Sequence, residues 1–96
     1  MNKEDFEKQL LKINPLRLAC DMAVGEQPTV KIDGVPVHME VCYSAIAWDI
    51  AYNKGTEEAK DEEVNDAIID LVLDWIASGQ AWKDFLQEKQ KGINYD

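Results

Sequence analysis

His38, Glu40 and Cys42 alternate along the segment HMEVC, so in an extended strand all three side chains would point to one side. Imidazole, carboxylate and thiolate are zinc ligand types, and a thiol beside an imidazole is also the pairing of a cysteine nucleophile with its base. A metal needs at least three well-placed donors, however, and helical spacing that begins at Val41 turns Cys42 away from the strand. No third orienting group or oxyanion hole accompanies the pair. His38, the only histidine in the chain, therefore reads as a surface residue of a hairpin, and no metal or other cofactor is expected.

The carboxylates offer a second chemistry. Acid–base pairs work when burial drives two pKa values apart, whereas Asp66, Asp70 and Asp74 fall on one polar, solvated helix face. No phosphate-cradling glycine loop or dinucleotide fingerprint is present, and Asp61-Glu62-Glu63 lacks the glycine that a calcium loop requires. The expectation is a protein that is not an enzyme.

What such acids can do without catalysis is bind. Glu57, Glu58, Asp61, Glu62, Glu63, Asp66, Asp70 and Asp74 are opposed within their stretch only by Lys60, which places seven of the net nine negative charges there. Glu62, Asp66, Asp70 and Asp74 recur every fourth residue, about 6 Å apart along a helix axis. Like charges at that spacing repel by a few tenths of a kcal/mol per pair. A spacing of the same order as phosphates along a nucleic-acid strand suits a groove built for nucleic acid, and Glu58, Asp61 and Glu63 would help from the same or adjoining rows.

The element that must carry these acids is a helix, because Val64, Ala67, Ile68, Leu71, Val72, Trp75 and Ile76 follow the spacing of one buried face, flanked by Ile69 and Leu73. Thr56 is its expected N-cap. Before it, VCYSAIAWDIAYN places Tyr43, Ile46, Ala47 and Ile50 on one face and Ala45, Trp48 and Tyr52 on the other, and Lys54-Gly55 ends the helix. Apolar on nearly all sides, this helix is either central in the fold or covered by a second chain, with Trp48 and Tyr52 as the oligomer interface.

Asp33-Gly34 between β-branched residues calls for a two-residue type I′ hairpin. In the register this imposes, Ile32 faces Val35, Val30 faces Val37 and Pro28 faces Met39 on one apolar side, with Thr29, Lys31, Pro36 and His38 outside. The imide nitrogen of Pro36 makes Val35 to Val41 an edge, so further pairing is expected on the Pro28 to Ile32 strand. At the N-terminus, Asn2 caps a helix with Phe6, Leu10 and Ile13 inward. Asn14-Pro15 opens a second, with Leu16, Ala19, Cys20 and Ala23 inward and Gly25 at its end. Ser78-Gly79 precedes a last helix that buries Trp82, Phe85 and Leu86 and is closed by Gly92 ahead of the INYD tail.

Ninety-six residues, 46% of them hydrophobic with eight aromatics, fit one folded domain rather than a disordered acidic tail. Net charge −9 argues against direct binding to nucleic acid or anionic membranes, both of which draw on Lys and Arg. MNKEDFEKQL lacks the apolar core of a signal peptide, AIIDLVLDWIA is too short and too charged to span a bilayer, and two cysteines suit free thiols in a reducing cytoplasm.

The expected fold is α+β, a helix-dominated single domain in the order α-α-β-β-α-α-α. The hairpin's apolar face would rest on the Tyr43 to Ile50 and Val64 to Ile76 helices. The expected function is non-catalytic: occlusion of a basic, nucleic-acid-handling partner. Small acidic DNA mimics carried by phages and other mobile elements as anti-defence inhibitors offer an analogy of size and charge. The alternative is an oligomeric accessory domain, a dimer through Trp48 and Tyr52.

Overall fold

The computed structural model describes residues 1–93. The fold is α+β with helices dominant: α1 (Lys3–Leu11), α2 (Pro15–Leu18), β1 (Ala19–Cys20), a 3-10 turn (Met22–Val24), β2 (Lys31–Ile32), β3 (Val35–Pro36), β4 (Met39–Glu40), α3 (Tyr43–Lys54), α4 (Asp61–Ala77) and α5 (Gln80–Ile93). Helix α4 is the hub, packing against α2, α3 and α5, while α5 also meets α1 and β3.

The N-terminal caps form as their residue types dictate. The Asn2 side chain accepts the Asp5 amide at 2.8 Å, and the Asn14 side chain accepts that of Leu16 at 3.0 Å with Pro15 in the first helical position. Phe6 and Leu10 from α1 are fully buried. Helix α2, however, stops at Leu18 rather than reaching Gly25. Ala19 and Cys20 pair in parallel with Met39 and Glu40, and the Val41 amide donates to the Cys20 carbonyl at 2.9 Å. The local reason is Asp21, whose carboxylate accepts the Ala23 amide at 3.0 Å and so offers the backbone an alternative to the helix.

In the hairpin, Asp33 (φ 53°) and Gly34 (φ 77°) both occupy the left-handed region that a type I′ turn needs. Ile32 pairs with Val35 and Lys31 with Pro36, and the Val37 amide donates to Val30 at 2.9 Å. Val30, Ile32 and Val37 are buried and Lys31 is exposed, as the alternation requires. Three details differ from the sequence expectation. The chain beyond Pro36 is not an unpaired edge: Met39–Glu40 leaves the hairpin and joins β1, past the point where the proline nitrogen forbids pairing. His38 is partly covered rather than fully outside, and the helix nearest β3 is α5.

Helix α4 begins five residues later than Thr56. Gly55 (φ 71°) and the Thr56 amide, which donates to Ala51 at 2.9 Å, complete the C-terminal cap of α3, and the Thr56 hydroxyl donates to the Glu58 carbonyl. Thr56 thus closes one helix instead of opening the next. Val64, Ile68, Val72, Trp75 and Ile76 of α4 are buried, but Leu71 and Leu73 remain substantially exposed. After the turn at Gly79, α5 stacks Phe85 on Phe6 with ring centroids 4.6 Å apart, while Leu86 stays exposed. The helix continues through Gly92 to Ile93, so Gly92 does not stop it; residues 94–96 of the expected tail lie outside the described residues. Among the described residues, no helix is long and apolar enough to cross a membrane.

Candidate binding face on α3 and α4

A buried carboxylate anchors the first turn of α3, which otherwise packs on α4. Asp21, 5% exposed, accepts the Tyr43 amide at 3.3 Å as well as that of Ala23, tying the first turn of α3 to the 3-10 turn. Its own amide donates to Glu26 Oε2 at 2.7 Å. Nothing in the local sequence announces the Tyr43 contact, which spans 22 residues. At the far end of α3, Lys54 is paired with Glu63 in the first turn of α4, and this hydrogen-bonded cation holds the Glu63 carboxyl below its ordinary pKa. Cys42 is the N-cap position of α3 and is exposed. Cys20 is buried, and burial, followed by the charge of Glu26, raises its thiol pKa. Both thiols are therefore free, and the reactive thiolate form of Cys20 is disfavoured.

The acids expected to bind a partner divide into four groups. Glu63 is engaged by Lys54, and Glu58 lies in the linker rather than on the helix, beside Glu57, Trp48 and Ala59. Asp61 starts α4 and faces Tyr43 and Ser44 across a shallow cleft. Glu62, Asp66, Asp70 and Asp74 are exposed, and none makes an ion pair or side-chain hydrogen bond among the described residues. They do not form a straight ladder. Each four-residue step on a helix of 3.6 residues per turn overshoots by about 40°, so Glu62 and Asp74 diverge by about 120° around the axis.

That drift decides what each acid meets. Asp70 and Asp74 turn toward α3 and line a groove whose apolar surface is built from Ile46 and Ile50 of α3 with Ala67 and Leu71 of α4. Asp49 lines the same groove from the α3 side, so three carboxylates surround the apolar strip and no Lys or Arg lines it. Asp66 and Glu62 lie further round α4, away from the groove. Asp49 is the only charged residue in VCYSAIAWDIAYN, and spacing within one helix does not reveal its place beside the acids of α4, which follows from how the two helices pack.

Trp48 and Tyr52 are 67% and 72% exposed and stack on each other, with ring centroids 5.5 Å apart and planes 10° from parallel. At about 100° per residue, Asp49 falls between this aromatic row and the groove-facing Ile46 and Asn53. The aromatic pair and Asp49 are therefore neighbours on the outer side of α3.

The alternating His38, Glu40 and Cys42 do not come together. His38 Nε2 and Glu40 Oε1 are 3.9 Å apart, Cys42 has passed into the cap of α3, and no group of three potential ligands is placed to hold a metal among the described residues. His38 instead borders a cleft with Trp75, Asp84 and Glu88. No known protein family, curated protein or solved structure matches the chain.

Proposed function

We propose that this protein is a non-catalytic binding protein that presents the acids of α4 and α3 to a basic surface and blocks it by occupation. The partner we assign to it is a nucleic-acid-handling protein, with the carboxylates standing in for phosphates as in a DNA mimic. The supporting observation is the contrast among carboxylates. Asp21, Asp84 and Glu63 accept hydrogen bonds within the fold. Asp49, Glu62, Asp66, Asp70 and Asp74 accept none among the described residues, and adjacent members repel. Unpaired charge on a rigid support steers association with an oppositely charged partner and is screened by salt.

Capture from a cell lysate tests this directly. The immobilised protein should retain a basic partner at low ionic strength, release it at high salt, and lose it to added duplex DNA. The double variant Asp66→Lys with Asp70→Lys should fold, as judged by circular dichroism, and retain at least tenfold less. Undiminished capture by the folded double variant would reduce the acids to a solubility device.

A second function, oligomerisation through α3, is favoured by one observation, the exposed Trp48–Tyr52 stack. Sedimentation separates it from the first. A dimer that Trp48→Glu converts to monomer supports oligomerisation, and a monomer at high micromolar concentration rejects it.

A further inference from the structure

We infer that the groove between α3 and α4 seats an amphipathic helix of the partner, one whose apolar stripe is bordered by Lys and Arg. This deepens the binding function proposed above and depends on it for the identity of the surface, though not for its test.

The groove makes two demands at once. Its apolar strip, Ile46, Ile50, Ala67 and Leu71, needs apolar side chains, and Leu71 is 40% exposed in a helix whose neighbouring Val72 is fully buried. Its carboxylates, Asp49 from one helix and Asp70 and Asp74 from the other, need cations. With acids contributed by both helices and no cation among the lining residues, the charge complement is a segment with positive residues on either side of its apolar row. A helix supplies that arrangement, because apolar positions at i, i+3, i+4 and i+7 form a stripe and the flanking positions border it. An extended strand does not: its charged residues alternate with the apolar ones and point to the opposite face, away from the carboxylates. A flat nucleic-acid-binding surface rich only in Lys and Arg would satisfy the acids and leave Leu71 uncovered.

Three synthetic 18-residue peptides, labelled for fluorescence anisotropy, test the inference on the intact protein. The first places Leu at i, i+3, i+4 and i+7 with Lys elsewhere. The second has the same composition in an order that spreads Leu around the helix, and the third keeps the stripe but replaces Lys by Gln. The first should bind at least tenfold more tightly than either of the others. Leu71→Gln and, separately, Asp70→Asn with Asp74→Asn should each weaken it by about tenfold, and only the acid variant should show a shallower salt dependence. Both sites are partly or fully exposed, so these variants should fold, and circular dichroism checks that they do. Equal binding of the first two peptides would overturn the groove while leaving charge-driven capture intact. No binding of the first peptide at high micromolar concentration would also overturn it, whereas a captured partner that added duplex DNA fails to displace would strike only the assignment of a nucleic-acid-handling partner.

Discussion

Trp75 and Trp48 show the two flanks of the α4 hub in opposite use. Trp75, on the α5 side, is buried, and its indole N–H donates to Asp84 Oδ2 at 2.9 Å while Gln80 donates to Oδ1 at 2.8 Å. Trp48, on the α3 side, stacks only on an equally exposed Tyr52, next to Asp49, which no cation meets among the described residues. On one flank, aromatic and acidic groups complete each other and fix the fold. On the other, the same residue types are left incomplete. A buried polar group without a partner is strongly disfavoured, so internal pairing is expected wherever water is excluded. Where water is present, nothing internal has to pair, and an outside partner can supply the complement.

The largest effect that could break this contrast is on stability. Trp75→Ala should destabilise by about 3–5 kcal/mol, since it opens a cavity in the core and leaves Asp84 without its indole donor. For a domain of this size that lowers Tm by more than about 10 °C. Trp48→Ala should change stability by no more than about 0.5 kcal/mol. Thermal unfolding of both variants decides it: a comparable loss in Trp48→Ala would mean that its ring belongs to the core of α3, and the exposed aromatic surface would disappear as an interface.

A smaller effect separates acids that hold the fold from acids that face outward. Asp21→Ala removes the acceptor shared by the Ala23 and Tyr43 amides, and Asp84→Ala leaves the Trp75 N–H without its partner; each should destabilise by about 1–3 kcal/mol. Asp70→Asn should be neutral or stabilise by a few tenths of a kcal/mol, because it relieves repulsion with Asp66 and Asp74. Urea titrations with unchanged m-values would measure these differences. A destabilised Asp70→Asn would show that its carboxylate has a structural role after all.

The sequence made the hairpin legible down to its register because the information is local: Asp33-Gly34 fixes the turn, and alternation fixes the faces. The buried stripe of α4 was legible for the same reason, apart from Ala67, which is only half-buried, and Leu71, which is exposed; both line the groove beside α3. Long-range pairing was not legible. Helical spacing in Leu16 to Ala23 gave way to two residues of parallel strand because β4 arrives from 20 positions away, and the double role of Asp21 is visible only once Tyr43 is beside it. The candidate site was half legible. The four-residue spacing located the acids of α4, yet helix geometry spreads them around the axis, and Asp49 joins Asp70 and Asp74 only through the packing of α3.

The smallest effect sharpens the comparison within α4 itself, between Glu63, which has an internal cation, and Asp70, which has none. The Lys54 hydrogen bond, followed by its charge, lowers the Glu63 pKa in the folded protein. A carboxyl whose folded pKa is depressed adds stability that is fully present above its unfolded value, about 4.3 for glutamate, and is lost as pH falls through the lower folded value. Glu63→Gln should therefore be slightly less stable than the unaltered protein at neutral pH. The gap should close on acidification below the ordinary glutamate range, because protonated Glu63 and glutamine then carry the same charge. It should also narrow at high salt, since the pair lies in contact with solvent. Denaturant midpoints of the two proteins, compared from neutral to acidic pH, measure the effect. A gap that widens on acidification would reverse the sign and remove Lys54 as the cause, leaving Glu63 grouped with the acids that face outward.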